Sequence, residues 1–246
     1  MTSFFGHTRS MVRRNYALLE PSGFVASAAP GWQNAKAFVV ISPAMGARFA
    51  QTHIVFEGNG RGQGETEDEE FCVYVIKGTG RLKMENLSGA LNAGSFIYVP
   101  PATRWSIRAN RGCEMVVFSR RYVPLSGVPS PAPRIGHAKN VDRQPFLGDP
   151  DARLQVLLPD EPAFDMAVNI FTYQPGATLP IVETHIMEHG LVMLSGQGVY
   201  RLHDDWHPVR EGDVIWMGPY CPQWFVAMGK EPASYLYYKD VNRPPL

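Results

Sequence analysis

The chain carries the same half twice, and this constrains its fold more than any single motif. Residues 74–105, YVIKGTGRLKMENLSGALNAGSFIYVPPATRW, match residues 193–224, MLSGQGVYRLHDDWHPVREGDVIWMGPYCPQW, with their glycines in register. Gly78 answers to Gly196, Gly80 to Gly198 and Gly94 to Gly212, each pair 118 residues apart, and Gly58 and Gly176 keep the same interval upstream. A period this long marks two copies of one structural unit rather than a solenoid of short repeats. Both copies consist of short runs rich in Val, Ile, Tyr and Phe, separated by Gly, Pro, Asn and Asp, the pattern of all-β sandwiches and barrels.

The repeat divides the chain into a first unit at 1–125 and a second at 151–246. Between them, 126–150 is rich in proline, with Pro129, Pro131, Pro133, Pro145 and Pro150 following Pro124. Such a segment is expected to run extended over the surface rather than join a sheet. With 246 residues and 45% hydrophobic content, the chain has material for a substantial core. Lys plus Arg equals Asp plus Glu at 23 each, so no net field recruits nucleic acid or an anionic bilayer, and a small molecule is the expected partner. Cys72, Cys113 and Cys221 contain no CxxC pair; reduced thiols and a cytoplasmic location are expected. The N-terminus lacks the apolar core of a signal peptide, and no stretch approaches the roughly 18 apolar residues of a membrane span.

The densest chemistry lies in ETHIMEH, residues 183–189. His185 and His189 would share one face of a helix, but Glu183 would then sit about 200° away from His185, at roughly 100° per residue. In extended chain, residues two apart share a face. Glu183, His185 and His189 then point inward, and Thr184, Ile186 and Glu188 point outward. A single inward histidine would be read as a hydrogen-bonded core residue. Three side chains of ligand type on one face point to a metal, since imidazole and carboxylate are common first-row ligands. A fourth ligand is expected from elsewhere in the barrel.

The spacing resembles the cupin family, whose first motif runs Gly, five residues, His-x-His, three or four residues, Glu, six residues, Gly. Glu183 stands at the first His, His185 at the second, His189 at the Glu and Gly196 at the closing Gly. In the second motif, opening at Gly212, Gln223 occupies the place of the metal-binding His. There is one extra residue after Gly176, and Gly218 and Tyr220 stand where the motif has proline and glycine. The resemblance implies a bicupin, two tandem jelly-roll barrels related by duplication, with Glu183, His185, His189 and Gln223 as ligands. Two nitrogens with carboxylate and amide oxygens suit Mn(II) or Fe(II), and copper or a structural zinc less well. Subtracting 118 gives Glu65, Glu67, Phe71 and Trp105 in the first half, which therefore is expected to lack a metal. The acidic run 65–70 reads as a solvated loop, and His203 and His207 as exposed residues of a hairpin.

A vacant first half, ETHIMEHGLVMLSGQGVY in the second, RRYVP at 120–124 and YYKDVNR at 237–243 together resemble the (S)-ureidoglycine aminohydrolase family over nearly the whole chain. That resemblance implies a manganese-dependent hydrolase of purine and allantoin breakdown, releasing ammonia from (S)-ureidoglycine to give (S)-ureidoglycolate. It further implies substrate contacts by Tyr200, Tyr235 and Lys239, with Tyr235 and Lys239 as catalytic residues; Glu183, standing where cupins usually have histidine, is expected to meet the substrate as well and to shuttle a proton as a third catalytic residue. Taken alone, Lys239 would read as a surface lysine and Tyr235 as a core aromatic. Two other readings stay open: an Fe(II)-dependent cupin dioxygenase, and a non-catalytic ligand-binding bicupin. Exposed barrel edges suggest a homo-oligomer.

Overall fold

The computed structural model describes residues 6–243; the outermost residues of the two expected units, 1–5 and 244–246, lie outside them. The described residues contain twenty β-strands and three 3-10 turns, and no helix among them is long and apolar enough to cross a membrane. Eight successive strands, from Trp32–Ile41 to Glu114–Arg121, have counterparts in the same order from Asp149–Val156 to Ala233–Asp240. The glycine register has a backbone cause. Gly78 and Gly196 have φ of +85° and +72°, and Gly94 and Gly212 have +89° and +87°, a region that disfavours any Cβ. At Gly196 a Cβ would also lie 2.7 Å from the Cα of Ala233. Gly58 and Gly176 share the interval without sharing a conformation: Gly176 turns at φ +84°, whereas Gly58 lies within the strand Ala50–Glu65.

That long strand is where the halves diverge. Ala50–Glu65 serves both walls of the first barrel, pairing through its start with Glu114–Arg121 and through its end with Arg104–Ala109. Its counterpart, Met166–Tyr173, stops short of Pro175 and Pro180, neither of which can donate to a ladder. Beyond it, only the single bridges Thr178 to Val226 and Glu183 to Gln223 follow the same path. The second barrel therefore has two separate walls, an eight-stranded sheet and the three strands Gln197–Leu202, Asp205–Arg210 and Gln223–Met228.

The halves also exchange strands. Tyr16–Leu19 pairs with Val214–Met217 of the second half. Arg134–His137, which lies 118 residues later, pairs with Ser95–Val99 of the first. Gln144–Phe146 pairs with Asp149–Val156. The proline-rich segment thus corrects the expectation of a surface linker: it opens the second repeat and enters both large sheets. Three of its prolines precede the strand at 134, and Pro145 lies on an edge strand, where a missing donor costs no ladder bond. The sheets accordingly do not follow the divisions at 125 and 151, because residues 11–19 belong to the second-half sheet.

Three apolar cores result. One fills the first barrel around Val73, Leu82, Ile97 and Ile107. A second fills the other barrel around Leu202, Ile215, Phe225 and Tyr235. The third lies between the halves, where Ile41, Phe49 and Phe118 meet Trp216, Leu236 and Tyr238. Strand parity makes this division: Tyr235 and Tyr237 face the second barrel's interior, and Leu236 and Tyr238 face the first half.

Glu70 belongs to this arrangement and corrects the reading of 65–70 as wholly solvated. It is fully buried and accepts a hydrogen bond from the Tyr98 hydroxyl. Nearby Asp165 accepts from the backbone N–H of Val123, and Arg120 donates to the Tyr238 hydroxyl. Burial, reinforced by Asp165, pushes the Glu70 carboxyl up to about 9 from an ordinary value of 4.5. The folded protein then keeps a proton that the unfolded chain loses, so Glu70's contribution is complete below pH 4.5 and declines as pH rises towards 9. Glu70→Gln is expected to flatten that decline, as measured by urea unfolding at pH 6 and pH 9. An unchanged pH slope would rule out a neutral Glu70.

Candidate metal centre

The interruption at Pro175 and Pro180 frees residues 181–188 to cross the mouth of the second barrel. Glu183 and Gln223 exchange both backbone hydrogen bonds, at 3.0 and 2.9 Å, and the N–H of Tyr220 donates to the carbonyl of His185 at 2.7 Å. Directly opposed residues of an antiparallel pair project to the same side, so this bridge sets Glu183 beside Gln223. Residues 184–188 are not strand, as the extended reading of 183–189 had it; the strand begins at His189. Glu183, His185, His189 and Gln223 nevertheless come together. Glu188 turns away from them, yet it is fully buried rather than outward in solvent.

His185 Nε2 lies 3.3 Å from Gln223 Nε2 and 3.9 Å from Glu183 Oε2, and the rings of His185 and His189 are 4.9 Å apart. The Nδ1 of His185 is 3.1 Å from the carbonyl of Met187. A carbonyl can only accept, which places the proton on Nδ1 and leaves Nε2 to accept or to ligate. The Nε2 of His189 and the Oε1 of Gln223 are buried without a partner among the described protein atoms. Burial, helped by His185 and Lys239, holds the His189 imidazole well below its usual range and therefore neutral.

These features fit a divalent ion. Two donors of one ion can stand no further apart than two bond lengths, about 4.4 Å for nitrogen and oxygen ligands, and the 3.9 Å between His185 Nε2 and Glu183 Oε2 satisfies that limit. Two buried polar atoms without partners leave room for a cation or a polar ligand between them and the pocket. Among the described residues, no three His, Cys, Asp or Glu side chains, Glu183, His185 and His189 included, stand close enough to form a metal-holding group by themselves.

Around the four stand the other expected residues. Tyr200 and Tyr235 are buried, their rings 6.1 Å apart. Lys239 pairs with His189 across the sheet and shares its face. The sequence reading missed Tyr173 and Tyr237. The hydroxyls of Tyr173 and Tyr235 lie 3.0 Å apart, and the Tyr237 ring sits 5.4 Å from that of His189, with its hydroxyl accepting from Asn169 at 3.1 Å. Alternation through 235, 237 and 239 was the signal for Tyr237; Tyr173 carried none. Burial, with Glu183 nearby, raises the hydroxyls of Tyr173, Tyr200 and Tyr237, which remain protonated donors. His207 is buried against the Tyr16 ring at 5.7 Å rather than exposed, because the exchanged strand covers it.

In the first half, Glu65 pairs with Arg104 as Glu183 pairs with Gln223. The counterpart of Gln223 is therefore Arg104 and not Trp105, because two residues separate Tyr220 from Gln223 where one separates Ala102 from Arg104. The Arg104 Nε lies 3.0 Å from Glu65 Oε2. Phe71 and Trp105 pack edge to face at 5.0 Å.

The family model of the cupin domain matches residues 169–238. Two barrel-like halves and a single ligand cluster define a bicupin with one candidate metal barrel. The chain is 38% identical to (S)-ureidoglycine aminohydrolase of Arabidopsis thaliana over 98% of its length and 80% of that protein. It is likewise 38% identical to the Escherichia coli K12 enzyme of that name, over 96% and 92%. The chain belongs to the (S)-ureidoglycine aminohydrolase family. Among solved structures, E. coli protein YlbA superposes with a TM-score of 0.87 at 36% identity, covering 96% of both chains. Bacillus subtilis oxalate decarboxylase, at TM-score 0.72 and 12% identity over 97% of this chain and 79% of its own, shares the fold alone.

Proposed function

We propose that this protein hydrolytically deaminates (S)-ureidoglycine to (S)-ureidoglycolate and ammonia, using a Mn(II) ion held by Glu183, His185, His189 and Gln223. The observation that carries the reading is near end-to-end similarity to enzymes of that name. The buried, unpartnered Nε2 of His189 and Oε1 of Gln223 support the metal. The substrate bears an amine, a ureido group and a carboxylate on one carbon; water adds there as ammonia leaves. When bound, such an ion would supply a Lewis acid that helps to orient the substrate beside these residues.

Lys239 offers a compact positive charge to the carboxylate or ureido oxygen. Tyr200 and Tyr235 offer hydroxyl hydrogen bonds in a water-poor pocket. Glu183 takes a proton from the attacking water and returns one to the departing amine. A place in purine and allantoin breakdown follows from that substrate. Three buried, unpaired cysteines support a cytoplasmic location. The exposed Ile181, Val182 and Tyr220 beside the site support a homo-oligomer.

The test is ammonia release from freshly generated ureidoglycine by metal-stripped protein, with Mn(II), Fe(II) or no metal added and oxygen monitored in parallel. Manganese is expected to restore ammonia release without oxygen uptake. Iron-dependent oxygen consumption would establish the dioxygenase instead, and ligand binding without ammonia would establish a non-catalytic bicupin.

A further inference from the structure

The contact that ties the first half to the candidate site is not one of its ligands. Glu188, next to His189, accepts hydrogen bonds from the backbone N–H of Arg48 at 2.8 Å and from the Trp216 indole at 3.2 Å. The Arg48 guanidinium reaches two carboxylates, with Nε 3.4 Å from Glu188 Oε1 and Nη2 2.8 Å from Asp240 Oδ2. Asp240 in turn accepts from the N–H of Glu188 at 2.6 Å. Arg48, Glu188 and Asp240 thus form a closed ring of contacts.

Its placement is specific. Glu188 adjoins His189, Asp240 adjoins Lys239, and His189 pairs directly with Lys239. The approach depends on Gly190: a Cβ there would lie 2.3 Å from Phe49 Cζ and 3.0 Å from Ile41. Phe49, the neighbour of Arg48, stacks on Tyr238 at 4.1 Å. Residues 48 and 49 of the first half therefore wedge against 188–190 and 238–240 of the second, on the side of the sheet opposite His189 and Lys239.

We propose that Arg48 is a positioning residue for the second-half site, holding the adjacent strand ends so that His189 and Lys239 keep their spacing. This rests on the metal reading above for its binding readout. A first half without a ligand set of its own would then remain necessary to the site in the other half. A planar guanidinium can bridge two carboxylates, whereas an ammonium offers a point charge.

The experiment compares the full-length parent with Arg48→Gln, Arg48→Lys and Arg9→Gln, titrating Mn(II) below each variant's unfolding temperature. Arg9 pairs with buried Asp213 at the other end of the Val214–Met217 strand, at 2.6 Å, so Arg9→Gln controls for lost stability alone. Arg48→Gln is expected to weaken manganese binding about 10- to 100-fold, the range for partners that orient ligands, and Arg48→Lys by less. Arg9→Gln should bind as the parent does. Parent-like binding by Arg48→Gln overturns the proposal. A parent that binds no manganese overturns the metal reading instead, and the His189 ring resonances of metal-free protein then decide: Arg48→Gln must shift them and Arg9→Gln must not.

Discussion

Glu183→Gln is expected to lower ammonia release by about 10²- to 10⁴-fold, the usual worth of a positioned proton-transfer group, while the protein still binds manganese. The amide keeps an oxygen for the ion and nearly the same shape, but it cannot carry a proton between water and amine. The backbone bridge to Gln223 is independent of the side chain, so the loop should hold its place. Turnover at constant manganese occupancy is the measurement. Parent-like turnover would remove Glu183 from proton transfer and leave it a ligand.

The second large effect is expected at His189. It is buried, neutral and without a partner for Nε2, so that nitrogen makes no hydrogen bond in the metal-free fold. His189→Ala should weaken manganese binding by about 100-fold or more, beyond the 10- to 100-fold loss typical of outer partners. An ion at 100 times its dissociation constant stabilises the folded state by about 2.7 kcal/mol. In the parent this is expected to appear as a manganese-dependent rise in Tm, and in His189→Ala the rise should disappear. The metal-free proteins should differ far less, since the substitution leaves a void but also removes an unsatisfied buried acceptor. An intact manganese-dependent rise in the variant would eliminate His189 as a ligand.

How much could be read without coordinates differs from residue to residue. Glu183, His185 and His189 could be picked out together because they lie two and four residues apart, and the structure gathers them although the backbone between them is irregular. Tyr200, Tyr235 and Lys239 were legible through family resemblance and stand around the cluster. The counterpart of Gln223 was misplaced by one residue, although Trp105 and Trp224, 119 apart, already held the sign of an insertion. Proline content suggested a linker at 126–150, but it could not show that a strand at 134–137 completes the other half's sheet.

Local chemistry alone determined the duplication and the all-β class, because turn glycines and strand alternation each act over a few neighbouring residues. Only the tertiary structure decided the strand exchange, the burial of Glu70 and Glu188, and the reach of Arg48 towards the site. Those depend on which surfaces of distant segments exclude water together, and nothing in a stretch of neighbouring residues encodes that choice.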